Sequence, residues 1–235
     1  MMILPNFVVF EGGDGSGTST QMDLLRRRFD RRRGPVLHGT AEPTDGPVGT
    51  LIRQALGGRL PLRAETLARL FSADRQEHLY GSGGIAEHCA RGELVLCDRY
   101  VLSSLVYQGI TCGHAASGHA ASGHAASGEA ASAQAAEDLP LLLNRDFPGP
   151  ELLLFFDLDP DIAARRLETR AEKEIYEYRD FQIRVRQGYR DLLPWYAGQG
   201  VRTVSIDASK EPEKVGEDIW AELQKLPILA NKDGL

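Results

Sequence analysis

The chain has 235 residues, 42% hydrophobic and 26% charged, which is enough for one sizeable core, and it reads as a single domain over 1–235. A net charge of −6 argues against a protein whose main work is coating nucleic acid or an anionic membrane. Three cysteines without a CxxC pair exclude a disulfide framework or an ordinary thiolate metal site, and no stretch approaches the ~18 apolar residues of a membrane span, so a reducing cytoplasm is the expected location.

Taken in chain order, an apolar run from Phe7 to Phe10 predicts a buried strand. A glycine-rich turn follows, Gly12-Gly13-Asp14-Gly15-Ser16-Gly17-Thr18-Ser19, and a helix is expected from near Thr20, with Met22, Leu25 and Phe29 on its apolar face. The Arg26 to Arg28 and Arg31 to Arg33 clusters close that helix, where cations meet the negative end of its dipole rather than a nucleic acid. A second strand is predicted at Val36 to His38, and a helical stretch carries Leu67, Leu70 and Phe71, with Phe71 and Arg75 four apart on one face. A third strand, Glu93 to Cys97, ends at Asp98, and Arg99 follows it.

Residues 113–132 read GHAAS three times and then GEAAS. A five-residue period without large apolar side chains buries no face, so this is a low-complexity insert; successive histidines at 114, 119 and 124 fall ~140° apart around a helix and do not converge on a metal. Strands are predicted again at Leu152 to Leu158 and Val201 to Ile206, and a last helix carries Val215, Ile219, Leu223 and Leu226. Basic residues over 165–186 mark a candidate helical lid. Five apolar strands alternating with helices predict an α/β fold, a parallel sheet covered on both sides, with ligands beyond the strand carboxyl ends.

The turn after the first strand aligns with the phosphate-loop pattern GxxxxGK[ST] except that Thr18 replaces the lysine. Consecutive amides at such a turn, with the helix N-terminus, form a cradle for nucleotide phosphates. Ser19 is then placed to ligate Mg²⁺, and Asp98 at the strand end is a second ligand, direct or through water. Arg99, beside it, offers a two-donor grip on phosphate.

These residues carry a resemblance that spans nearly the whole chain. FVVFEGGDGSGTSTQ is similar to the FEGxDGxGKxTQ opening of thymidylate kinases. Glu42-Pro43 with Gly49 to Arg53 resembles their REP loop and the helix after it. Asp98-Arg99-Tyr100 with Ser103, Ser104, Tyr107, Gln108 and Gly109 resembles DRYxxSSxAYQG, and the stretch from Pro150 to Pro160 resembles PDLTFxLDxDP.

The resemblance implies a P-loop three-layer α/β/α sandwich that transfers phosphate from ATP to thymidine monophosphate with Mg²⁺, as a homodimer. It implies a phosphate loop running from Gly12 to Thr20 and catalytic roles for Asp14, Asp98 and Arg99. It further implies that Phe71 stacks on the base, Arg75 donates to a base carbonyl, and Ser104, Tyr107 and Gln108 close around sugar and base, with Glu42, Pro43, Arg53 and Arg99 also on the substrate side. Three family cations are absent: Thr18 stands for the loop lysine, Ala41 for the REP arginine and Ile175 for a lid arginine. Arg170 or Lys173 is the expected compensation. A kinase for another monophosphate, or a nucleotide binder with impaired turnover, are the alternatives.

Overall fold

A computed structural model describes residues 1–31, 34–113, 138–167, 176 and 178–230. The insert at 113–132 lies outside the described residues except for Gly113, and so do Arg170, Lys173 and Ile175 of the candidate lid.

Five parallel strands form one sheet in the order β2-β3-β1-β4-β5: β1 is Ile3–Gly12, β2 Leu37–Ala41, β3 Leu94–Asp98, β4 Gly149–Asp157 and β5 Arg202–Asp207. Each overlaps a predicted apolar run; β1 extends beyond its run at both ends, β4 starts three residues before its run, β2 shares only Leu37 and His38 with its run and continues to Ala41, and β3 and β5 are shifted by one residue. Alternation within each run supplies two cores. Phe7, Val9, Val95, Cys97, Leu153 and Phe155 face one side, and Val8, Phe10, Leu94, Leu96, Leu154 and Phe156 the other.

The first core is covered by α2 (Pro47–Leu56), α3 (Ala64–Tyr80), α4 (Ile85–Ala90), α5 (Val101–Thr111) and α8 (Arg179–Gly198). The second is covered by α1 (Thr18–Asp30), α7 (Pro160–Leu167) and α9 (Pro212–Leu223). Among the described residues there are also two short helices, α6 (Leu139–Asn144) and α10 (Pro227–Ala230). The first helix begins at Thr18, two residues before the expected start, because Gly17 in a left-handed conformation (φ 94°) serves as its N-cap. Arg27 and Arg28 sit in its last turn as expected, and the Arg28 guanidinium carbon lies 4.1 Å from the ring centroid of Trp220 on α9. Among the described residues no helix is long and apolar enough to cross a membrane.

β1 and β3 are neighbours, with Phe10 opposite Asp98. The connections leave β1 toward β2 on one side and reach β4 on the other. The crevice at their carboxyl ends is therefore the point where strand order reverses, the position at which open α/β sheets bind ligands.

Candidate active site

The loop from Gly12 to Thr18 turns β1 into α1. Gly15 (φ 79°) and Gly17 (φ 94°) adopt backbone conformations that a side chain would strain. Among the described residues no side chain caps the N-terminus of α1, and no acidic residue occupies its first turn. Its orphan amides and positive dipole end are thus open to an anion.

The hydroxyls of Thr18 and Ser19 both donate to Asp98 Oδ2, at 3.0 and 3.1 Å. Asp98 Oδ1 is buried without a hydrogen-bond partner among the described residues. Burial pushes the Asp98 carboxyl above the usual range, against the opposing pull of Arg99 and the two hydroxyls. A buried carboxylate oxygen with no donor is matched by a hard cation, so Ser19 and Asp98 fit a Mg²⁺ ion.

Arg99 holds φ at 70°, rare for a residue with a side chain. From there its guanidinium donates to Asp14 Oδ1 at 2.5 Å and to the Gly12 carbonyl at 3.0 Å. Asp14 is gripped from the other side by Gln182 of α8. Gln182 Nε2 donates to Asp14 Oδ2 at 2.7 Å and to the Tyr176 carbonyl at 2.8 Å, while Gln182 Oε1 accepts from the Asp14 amide at 3.1 Å. The Tyr107 hydroxyl makes a longer 3.4 Å contact to the same carboxylate, and its ring centroid lies 5.1 Å from the Arg99 guanidinium carbon.

On the far side of the crevice, Arg75 is 1% exposed. Its Nε and Nη2 donate to Glu42 Oε2 at 2.9 and 2.7 Å, Nη2 donates to Ser104 Oγ at 3.0 Å, and Nη1 donates to Asn144 Oδ1. One Nη1 hydrogen is left without a partner among the described residues. Glu42 is further met by His78, whose Nδ1 lies 3.1 Å from Oε1. Gln108 is buried, and its Oε1 has no partner among the described residues. Phe71 is half-buried one helical turn before Arg75. Arg53 of α2 is more peripheral: it donates to the Pro43 carbonyl at 2.9 Å and pairs with Asp45 at 3.2 Å.

One cavity of about 700 Å³ joins the two sides. Its walls include the loop from Gly13 to Thr20, Asp98 and Arg99, and also Glu42, Pro43, Arg53, Phe71, Arg75, Ser104, Tyr107 and Gln108. Gly12 lies behind the loop, where a Cβ would meet Ser16 Oγ at 2.7 Å.

Three residues at this site were not singled out from the sequence. Glu11 ends the apolar run of β1 fully buried, accepting from the amides of Tyr100 and Ser103 and from the hydroxyls of Ser103 and Tyr189. Burial pushes its carboxyl up to about 7, although Ser103, Arg99 and Tyr189 pull it down. Its signal was a carboxylate inside an apolar strand. Gln182 likewise interrupts the stripe Val185, Tyr189, Leu192 and Tyr196 that α8 buries. Arg166 falls in the basic stretch over 165–186 that marks the candidate lid. It lines the cavity, and its Nη1 lies 4.0 Å from where a Cβ on Gly17 would stand.

The family model described as thymidylate kinase matches residues 10–120 and 119–219. A protein bearing a thymidylate kinase name in Treponema pallidum (strain Nichols) is 42% identical over 233 residues, spanning 96% of this chain and 98% of its own. Similarly named proteins of Pyrobaculum aerophilum and Methanococcus aeolicus are 35% and 34% identical, over 93% and 95% of this chain and 96% and 98% of theirs. With its phosphate loop opening on this cavity and its sequence matched along most of its length, the chain belongs to the thymidylate kinase family.

Proposed function

We propose that this chain transfers the γ-phosphoryl group of ATP to the 5′-phosphate of thymidine monophosphate, giving ADP and thymidine diphosphate. The observation that carries the reading is one cavity in which an open phosphate cradle faces a buried arginine and a buried glutamine oxygen without a partner among the described residues.

The base contacts follow from that pairing. The remaining Arg75 Nη1 hydrogen suits a carbonyl, and Gln108 Oε1 suits a ring N–H. Thymine presents a carbonyl beside a ring N–H. Cytosine presents an amine beside an unprotonated nitrogen, which would set donor against donor and leave the glutamine oxygen unmet. Phe71 offers a flat apolar face for the ring, and Tyr107 with Ser104 bounds the sugar side.

In the transfer, an acceptor phosphate oxygen attacks the γ-phosphorus in line. The bond to the β–γ bridging oxygen breaks, and that oxygen leaves on ADP. The loop amides hold the donor phosphates. Arg99, fixed by Asp14 and the Gly12 carbonyl, is pre-set to bridge the acceptor and transferred groups without reorganising. Ser19 and Asp98 would hold Mg²⁺, which when bound supplies charge neutralisation on the phosphates. Thr18 contributes no charge, and Arg166, beside the loop, takes up part of the missing lysine's work in this reading. Three free cysteines support a reducing cytoplasm, and family membership supports a homodimer.

The test is ADP release from ATP and Mg²⁺ with a panel of nucleoside monophosphates. Thymidine monophosphate should give the highest kcat/KM and deoxycytidine monophosphate the poorest of the pyrimidines. Nucleotide binding with no ADP formed from any monophosphate would sink the enzyme reading.

A further inference from the structure

A second cluster of metal-ligating side chains sits away from the cavity, at the opposite ends of the strands. His38 is the second residue of β2, His88 lies on α4, and Glu93 immediately precedes β3, five residues before Asp98. At ~3.3 Å per strand residue this places Glu93 roughly 16 Å from the strand-end carboxylate. The His38 and His88 rings stack with centroids 3.6 Å apart and planes 18° apart. One ligand atom from each of the three residues lies within 4.8 Å of the others, and all three side chains are half-buried.

The hydrogen bonding around this cluster contains a conflict. His88 Nδ1 is 2.7 Å from Glu93 Oε2 and also 2.7 Å from Arg91 Nη2. If Nδ1 carries a proton it serves the carboxylate and opposes the guanidinium; if it carries a lone pair it does the reverse. One of the two contacts is therefore unfavourable in either state. The His38 ring stacks without a hydrogen bond to any described residue. A divalent cation would take an imidazole lone pair and the carboxylate together, provided Arg91 gives up both its contact with His88 and the donation of its Nε to Glu93 Oε1 at 2.9 Å. Arg91 has somewhere to go, since its Nη1 already donates to Glu87 Oε1 at 2.6 Å, one helical turn away.

We propose that His38, His88 and Glu93 bind a borderline divalent transition ion of the zinc class, with Arg91 as the cation it displaces. Two imidazoles and one carboxylate suit such an ion, with solvent completing its shell, and do not suit Mg²⁺, which prefers oxygen donors in an octahedron. The ion would tie the edge strand β2 to α4 and the start of β3, which makes it a brace for that edge and leaves the phosphate chemistry untouched.

The repeat histidines at 114, 119 and 124 are potential competing ligands, so the experiment uses the full chain with those three changed to alanine. Three histidines then remain, and the third, His78, is committed to Glu42 and Thr40. Zn²⁺ is titrated calorimetrically in the presence of excess Mg²⁺, and melting is followed with and without Zn²⁺. The expected result is one Zn²⁺ per chain, a raised Tm and unchanged turnover. His38→Ala and His88→Asn should each weaken binding by about tenfold or more. Arg91→Ala should leave binding intact or tighten it, an outcome that a plain hydrogen-bonded cluster does not produce. Circular dichroism of each variant checks that it is folded, and Glu93→Gln provides an independent ligand change should a histidine variant fail that check. Absence of Zn²⁺ binding once the repeat histidines are gone, or binding indifferent to the changes at 38, 88 and 93, overturns the proposal.

Discussion

The Thr18 hydroxyl donates to Asp98 Oδ2 at 3.0 Å, sharing that oxygen with Ser19. The loop position where the phosphate-loop pattern has a lysine is thus turned toward the strand-end carboxylate, and it brings no charge to the phosphates. With neutralisation carried by other cations, Thr18→Lys should change kcat by less than about tenfold, or ~1.4 kcal/mol. Steady-state ADP release measures this. A gain of several hundredfold would mean that the wild-type chain lacks the cation it needs.

Arg166 donates to the Ala208 carbonyl at 3.0 Å with Nη2, which holds its guanidinium next to the phosphate loop. Arg166→Ala should lower kcat/KM for ATP by about a hundredfold, the scale of one well-placed electrostatic contact. Arg166→Lys should recover part of the loss. Equal defects in the two variants would argue for a packing role.

Gln182→Ala removes a donor and an acceptor from Asp14 at once. The Asp14 carboxylate keeps Arg99 and loses its second anchor, so kcat should drop about tenfold, with a destabilisation of about 1.5–3 kcal/mol from the lost bond to a charged group. Gln182→Glu brings a second carboxylate within reach of Asp14 and should be worse at neutral pH. Because a shared proton relieves that repulsion, its defect should shrink as pH falls. Thermal melts and a pH–rate profile of the two variants distinguish these outcomes.

Glu11 makes stability depend on pH. Its carboxyl rises from 4.5 to about 7 on folding, so between those values the folded chain binds more protons than the unfolded one. Stability from this group is therefore fully present below about 4.5, declines as pH rises and is lost above about 7. Wild-type Tm should carry this decline across pH 5 to 7, and Glu11→Gln, which cannot titrate, should flatten it. An identical slope in both proteins would reject the assignment.

The fold was legible because both cores are written into the strands: alternate residues of FVVF and LVLC feed opposite faces, so runs apolar throughout could only be central parallel strands. The phosphate loop was legible because glycine spacing encodes its backbone. What escaped were contacts between elements distant in the chain. Arg75 meets Asn144 across 69 residues, and Asp14 meets Gln182 across 168, separations that no local pattern reports. The cue for Gln182 was present only as an anomaly, a polar residue on an otherwise apolar helical face. For Arg75 the side of the crevice was readable from its spacing to Phe71. Its near-complete engagement by Glu42, Ser104 and Asn144 was not, because that depends on how α3, α5 and α6 meet.

The two tryptophans have a practical bearing. Trp220 lies under Arg28 against α1, and Trp195, in the last turns of α8, packs against the first core; neither lines the cavity. Intrinsic tryptophan emission will therefore follow unfolding of the helical layers and stay blind to nucleotide occupancy. A reporter has to be installed, and Phe71→Trp would convert the wall against which the base is expected to lie into a fluorophore quenched by stacking, turning equilibrium titration with a non-reacting nucleotide into a direct optical measurement.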